Sequence, residues 1–209
     1  MQQTVMAMND ADGVGEEASA FLFKLATGER IDGTLRQGSL HGRCTIINED
    51  SSPLHEADYL SGKLHGESRH YLNGRLVGLQ HYTMGQLDGP SQSFDAAGNV
   101  VCQVFYAAGQ LEGPAQWFQE GVLIREGSFH RGLPEGEWHH YDEGGRRLES
   151  MTYQQGLLHG PACRYGADGE LAAKRLYQGG KPQAPWAPES REDAGPQGSR
   201  FERWLRGGS

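Results

Sequence analysis

The chain has 209 residues, a formal net charge of −8 and 31 glycines, roughly twice the usual share of glycine. The acidic balance counts against nucleic acid or anionic lipid as the main partner. No stretch approaches the ~20 consecutive apolar residues of a membrane-spanning helix, and the first residues lack the basic and apolar parts of a secretory signal. The cysteines, Cys44, Cys102 and Cys163, are odd in number and widely spaced, which predicts free thiols and a cytoplasmic location.

A repeat of 23 or 24 residues occupies most of the chain. Residues 1–18, before it, are polar and acidic without a basic side chain, which predicts a disordered segment. From 19 to 181 a G-x-x-x-G pentapeptide recurs, with a degenerate seventh copy at Gly180. The first glycines of the six clear copies are Gly38, Gly62, Gly85, Gly109, Gly132 and Gly156, and closing glycines include Gly66, Gly89 and Gly113. A second glycine series with the same period lies between the pentapeptides.

Two further columns follow the same period and predict the fold. Three residues before each pentapeptide come Leu35, Tyr59, Tyr82, Tyr106, Phe129 and Tyr153, and five after its closing glycine come Ile47, Tyr71, Phe94, Phe118, Tyr141 and Tyr165. Alternation with period two, and tight-turn pairs such as Asn73-Gly74, predict that each unit is a β-hairpin. Gly85 and its equivalents are expected where no Cβ can be tolerated. Because one hairpin cannot bury its own apolar face, about seven stacked units predict an all-β, elongated, single-layer antiparallel sheet.

At these residues the chain resembles the bacterial variant of the MORN-repeat family. That family's unit is similar to Y-x-x-G-x-L-x-G, with an aromatic residue beyond the glycine and an N-G or D-G turn. The segments 59–76 and 106–118 carry the match, and the resemblance covers about residues 20–181. The chain departs from the pattern at 48–53, where the turn lacks glycine, and at Leu133-Pro134, where leucine shifts by one place. The resemblance implies a binding or scaffolding role, and many bacterial members are labelled antitoxin-like.

The C-terminal part differs from the repeats in composition. Residues 182–198 contain four prolines among polar residues, which predicts an extended linker. Ser199 and Glu202 have the spacing of a helix capping box, and Phe201, Trp204 and Leu205 form one apolar stripe of a short helix over 199–209. Because so short a helix is marginal in water, it is expected to dock, either as a cap on the last repeat or on a partner.

The polar residues of the repeat predict no catalytic site, no metal and no cofactor. One turn position carries histidine in some units and carboxylate in others: His41, His65, His159, Asp88, Glu112 and Glu135. This ladder suggests metal binding, but equivalent positions lie ~10 Å apart while zinc needs ligands at ~2.0–2.1 Å, so exposed turn residues are the favoured interpretation. His139 and His140 are adjacent in a strand and should point to opposite faces. No nucleophile elbow or phosphate-binding loop is present, and the cysteines are expected to be packed.

Counting residues along the strands suggests a contact surface. The two aromatic columns are assigned to one scaffold face, and the opposite face becomes large and aromatic in the central units. Six residues are predicted to bind a partner there: Trp117, Trp138, Phe105, His140, Leu79 and His70. The alternative is that they cover the second face of the sheet or mediate self-association. A bulge would exchange the faces locally.

These features together predict a non-enzymatic, protein-binding repeat protein. The favoured version is an immunity or antitoxin protein that binds a cognate toxin, with negative charge suited to a basic partner. One alternative is a structural scaffold that localises other proteins, including at a membrane surface, although the acidity counts against direct lipid contact. Another is a protein that self-assembles through its open sheet edges.

Overall fold

The computed structural model describes residues 18–189, which form one open antiparallel sheet without any helix. This confirms the predicted all-β, single-sheet fold class. The predicted helix over 199–209, with its stripe of Phe201, Trp204 and Leu205, lies outside the described residues, as do residues 1–17. The strands are β1 Ala18–Lys24, β2 Arg30–Arg36, β3 Ser39–Leu40, β4 Gly42–Ile47, β5 Pro53–Leu60, β6 Lys63–Leu72, β7 Arg75–Thr83, β8 Gln86–Phe94, β9 Val100–Ala107, β10 Gln110–Leu111, β11 Gly113–Gln119, β12 Val122–His130, β13 Leu133–Tyr141, β14 Arg147–Gln154, β15 Leu157–Tyr165, β16 Leu171–Gln178, β17 Lys181–Pro182 and β18 Ala187–Pro188.

The strands follow one another across the sheet in the order of the chain. Each pairs with the next, and short interruptions divide two of them: β3 and β4 both pair with β2, and β10 and β11 both pair with β9. The hairpins therefore stack side by side, as the repeat period predicts. At ~4.8 Å per strand this meander spans roughly 70 Å.

The last units end in a covered edge. β17 and β18 both pair with β16, and the guanidinium of Arg164 lies 4.1 Å from the ring centre of Trp186, in the segment between them. The prediction of a free linker from residue 182 is therefore wrong for 182–189. Proline is tolerated on an edge strand because the outward side of that strand needs no amide donor.

Two-residue turns connect successive units along one long side of the sheet. In the turn Met84-Gly85 both residues have positive φ, of 51° and 89°. This is the geometry of the tight hairpin turns that match the strand twist. The expectation that Gly85 leaves no room for a Cβ is wrong, since the nearest atom to a Cβ built there is Lys63 Cβ at 3.9 Å. Glycine is favoured at this position by its φ angle and not by crowding.

A bulge in every unit decides which face each side chain occupies. In β6 and β7, His70 pairs with Gly78 but Tyr71 pairs with Leu76, so Val77 is an extra residue. The same shift recurs in the other units, with these residues in the extra position: Leu54, Val101, Ile124, Leu148 and Ala172. Because an extra residue exchanges the faces, the two aromatic columns lie on opposite faces. We call the side that carries Tyr59 and Tyr82 face 1, and the side that carries Tyr71 face 2.

Face 1 contains most of the buried core. Its central row is made mainly of small residues that lie two positions after a closing glycine or two before the tyrosine column. The buried members are Cys44, Ala57, Ser68, Val104, Ala115, Trp138 and Ala162, all at most 9% exposed. The predicted scaffold residues Tyr59, Tyr82, Tyr106, Phe129 and Tyr153 flank this row. Trp138 is the one large side chain among these buried members.

Candidate functional site

The six predicted contact residues do not share a face. Cross-strand pairing places Trp117, Trp138, His140 and His70 on face 1. Leu79 pairs with Arg69 and Gln92, and Phe105 pairs with Pro90, which places both on face 2. The prediction of one common face is therefore wrong. Its error comes from the bulge, which reverses the alternation between the two ends of each second strand.

Trp138 belongs to the core and is not exposed for a partner. It is 0% exposed, and its ring lies 5.1 Å from that of Phe129 and 5.8 Å from that of Tyr153, measured between centroids. The ring fills the space above Gly127, where an added Cβ would lie 2.1 Å from the indole. A glycine two residues before Phe129, where other units have Ala57 or Val104, is the sequence signal that could have indicated this packing.

Arg125 joins two tryptophans into a cluster on face 1. Its guanidinium carbon lies 5.0 Å from the ring centre of Trp117 and 4.6 Å from that of Trp138. The two indoles are 5.7 Å apart. Arg125 is half-buried, and no carboxylate among residues 18–189 lies within ion-pair distance of it. We call Trp117, Arg125, Trp138 and His140 the central cluster. The sequence prediction did not include Arg125, because its neighbours come from other strands.

His140 completes the central cluster as the cross-strand partner of Arg125. Burial first, and the charge of Arg125 second, lower its pKa, against a smaller opposing effect of Glu149. The imidazole is therefore largely neutral near pH 7. Three buried nitrogen atoms of the cluster form no hydrogen bond with any described residue: Arg125 Nε, Trp138 Nε1 and His140 Nε2. Such unpaired polar atoms are few in native proteins, and they indicate either stored strain or a group that binds there.

An open groove of about 810 Å³ lies beside the central cluster. Arg125 and His140 line it together with the bulge residues Ile124 and Leu148. Leu148 is 45% exposed. The loop at the end of β13 also lines the groove, and its Arg146 is already paired with Asp142 at 2.8 Å. The groove thus combines apolar walls with one cation that has no counter-ion, a composition suited to a protein side chain.

The ladder of histidines and carboxylates caps turns. Glu112 Oε2 accepts the backbone N–H of Arg131 at 2.8 Å, and Glu135 Oε2 accepts that of Gln155 at 2.7 Å. The remaining contacts of this kind are longer: Asp88 to Ala108 and His65 to Met84, both at 3.4 Å, and His159 to Gly179 at 3.5 Å. Each acceptor reaches the next turn along the array. Within residues 18–189 no three His, Cys, Asp or Glu side chains are grouped so that they could hold a metal ion.

His70 has a structural partner far from the central cluster. The rings of His55 and His70 are stacked with centroids 4.4 Å apart, and Ser68 Oγ lies 2.8 Å from His55 Nε2. A serine hydroxyl beside an imidazole is the geometry of an activated nucleophile. Ser68 is only 1% exposed, so a substrate has no access to it. Burial, and then His70, lower the pKa of His55.

The three cysteines are unpaired thiols, and burial raises the pKa of each. A raised pKa keeps the sulfur protonated near neutral pH, where the thiol is a weak nucleophile. Their contribution is therefore to packing.

His139 lies on the other side of β13 from His140. It pairs with Glu126 and Ser150, and its ring centre is 6.2 Å from that of Tyr141 on face 2. The expectation that the two adjacent histidines point to opposite faces is confirmed.

Comparisons with known proteins do not place the chain in a family. No protein-family model matches it, and no curated protein sequence is similar to it. In the described part of the chain, no helix has the length and apolar character needed to cross a membrane.

Proposed function

We propose that this chain is a non-catalytic repeat protein that binds another protein through face 1 of its central units. The observation that carries the proposal is the central cluster. It holds a half-buried arginine over two indoles, without a carboxylate, beside an open groove with an exposed leucine. Arginine and tryptophan are the residues most enriched at the energetic centres of protein interfaces.

The roles of the other polar groups support a non-catalytic function. The carboxylates that resemble a metal ladder are engaged with backbone N–H groups of neighbouring turns. The best Ser–His pair, Ser68 and His55, is sealed inside the sheet. The thiols have raised pKa values. Each group with potential chemistry therefore has a structural explanation.

The specific version that we propose is an immunity or antitoxin protein that binds and neutralises a cognate toxin. Two features support it: the resemblance of the repeat to the MORN variant, and a net charge of −8 that would steer a basic partner toward the sheet. A long sheet with a fixed register offers a rigid surface, which lowers the entropy lost on binding.

Affinity capture from the native host tests the proposal. Wild-type protein is compared with Leu148→Glu, which places a charge in the groove, and with Leu72→Glu, a matched control at a leucine in another unit that is 63% exposed. We expect one protein that is retained by wild type and by Leu72→Glu and lost with Leu148→Glu. Equal capture by all three would contradict the proposed surface.

The captured protein then tests the toxin version. Its expression alone in a bacterial host should arrest growth, and co-expression of the wild-type repeat protein should relieve the arrest. Co-expression of Leu148→Glu should not. A captured protein that leaves growth unaffected would contradict the toxin version while leaving the binding proposal in place.

Self-assembly is a second candidate, favoured by a difference between the two ends of the sheet. In the part of the chain that the structure describes, β1 pairs with β2 alone, whereas β16 is covered by β17 and β18. A strand with unpaired backbone groups on one side is a template for another chain. Light scattering over a concentration series should show larger species as the protein concentration rises, and a constant monomer mass would exclude this candidate.

A further inference from the structure

We infer that Arg125 is an anchor for a carboxylate side chain of the bound partner. This inference rests on the proposed function and names the chemistry of the contact. The groove beside Arg125 would receive an aspartate or glutamate that is flanked by apolar residues, with the carboxylate on the guanidinium and the flanking residues against Ile124 and Leu148.

The unpaired state of Arg125 is the first step of the argument. Partial burial removes water from the guanidinium, and a charge that loses water without gaining a counter-ion is destabilising. The indoles of Trp117 and Trp138 offset part of this cost through cation–π attraction. They do not supply a hydrogen-bond acceptor, and Arg125 Nε remains without one. What the site lacks is an acceptor with negative charge.

A second arginine in the same sheet shows the complete arrangement. Arg164 lies on face 1 in the same row as Arg125, since Arg125 pairs with His140, His140 with Glu149, and Glu149 with Arg164. Its guanidinium lies over the ring of Trp186 at 4.1 Å, and its Nε donates to Glu149 Oε1 at 2.9 Å. Aromatic ring and carboxylate together satisfy this arginine. Arg125 has the aromatic part alone, so the part expected from a partner is a carboxylate.

The geometry of the groove selects a side chain over a free ion. The walls next to Arg125 include two aliphatic residues, one of them 45% exposed, and these gain from contact with an apolar neighbour of the acid. The overall acidity of the chain does not oppose this contact. Net charge governs the encounter with a basic partner, while a local charge pair fixes the register of the complex.

Selection from a displayed library of random dodecapeptides tests the inference. We expect enriched peptides to carry aspartate or glutamate next to an apolar residue. Changing that acid to its amide should weaken binding at least about tenfold, because it removes a charge-assisted hydrogen bond. Arg125→Met, which keeps the apolar stem over the indoles, should weaken binding similarly. Arg164→Met is the matched control and should leave binding unchanged.

A spectroscopic readout locates the contact independently of the variants. In nitrogen-15 NMR spectra of the wild-type protein, an enriched peptide should shift the side-chain N–H signals of Arg125 and Trp138, and its amide version should not. The Nε–H signal of Arg164 should stay in place. This measurement and the peptide substitution test the inference even if Arg125→Met folds poorly.

Three results would overturn the inference: no enriched peptide, enriched peptides without an acid, or binding that Arg125→Met leaves intact in a folded protein. Its failure is separable from failure of the proposed function. A partner that is captured from the host, lost with Leu148→Glu and retained by Arg125→Met would leave the binding function standing without the carboxylate anchor.

Discussion

Two regions of face 1 have the same register and opposite character. In β5 and β6, Ala57 and Ser68 occupy the buried row, and His55 and His70 lie beside them. Three units further, the equivalent four positions hold Gly127, Trp138, Arg125 and His140. We call the first set the serine region, and the second lies around the central cluster.

The comparison shows where the array departs from self-sufficiency. In the serine region the polar atoms satisfy each other, since Ser68 Oγ lies 2.8 Å from His55 Nε2. In the central cluster three nitrogens have no partner among the described residues. The same backbone supports both arrangements, so the fold does not require the unpaired one. A local arrangement that is less satisfied than the fold allows indicates a functional site.

The largest expected effect comes from making the central cluster resemble the serine region at one position. Gly127→Ala gives that position the residue found at 57, but its Cβ would lie 2.1 Å from the Trp138 ring. We expect a loss of about 3 kcal/mol in the free energy of unfolding, measured by urea denaturation, because the overpacked indole must move.

The double variant Gly127→Ala/Trp138→Ser reproduces the Ala57–Ser68 pair and serves as the control. Because the clash is gone, the alanine should cost less in the serine background than in the wild-type background. Equal costs of Gly127→Ala in both backgrounds would show that the indole does not occupy the space above Gly127.

A smaller effect is expected from opening the serine region. Ser68→Ala removes the hydroxyl that pairs with His55 Nε2 and leaves a half-buried imidazole nitrogen without a partner. The free energy of unfolding should fall by about 1 kcal/mol. Ser91→Ala, at the equivalent half-buried position of the next unit, is the matched control, and an equal loss there would contradict a specific role for the Ser68 hydrogen bond.

The smallest effect is a dependence on pH that both regions share. The pKa values of His55 and His140 are lowered from 6.5, chiefly by burial, so the unfolded chain binds more protons than the folded one just below that pH. The stability that neutral histidines contribute is fully present above pH 6.5 and is lost as the pH falls through their folded pKa values.

Melting temperatures measured at about pH 7.5 and about pH 5.5 check this expectation, since this interval spans the titration of free histidine. The temperature should be lower at the acidic pH, and the double variant His55→Gln/His140→Gln should show a smaller difference. A melting temperature that rises on acidification would reverse the sign and contradict the lowered pKa values.

The fold could be predicted from sequence because the glycine period fixes the turns. Once the turns at Asn73-Gly74 and Met84-Gly85 are placed, the strand lengths and the order of pairing follow. The face assignment could not be predicted in the same way. The extra residue Val77 is an aliphatic residue in a strand, and nothing in its chemistry distinguishes a bulge from regular pairing.

The central cluster could be predicted only in part. Trp117 and His140 were identified because they are large residues at positions that are small in other units. Trp138 was identified for the same reason, but Gly127 across the strand pair converts it into core. Arg125 was missed because its environment is made by neighbouring strands, and its own position along β12 carries no signal.

The turn caps have a consequence for the mechanics of the molecule. Each acceptor of the ladder holds the first amide of the next turn, as Glu112 holds Arg131 and Glu135 holds Gln155, so every hairpin is fastened to its neighbour and to no unit farther away. A chain stretched between its ends would then lengthen stepwise, with one hairpin released at a time. β1 has a neighbour on one side only within the described residues, whereas β16 is covered, so the release would begin at β1. The molecule would behave as a zipper with a direction.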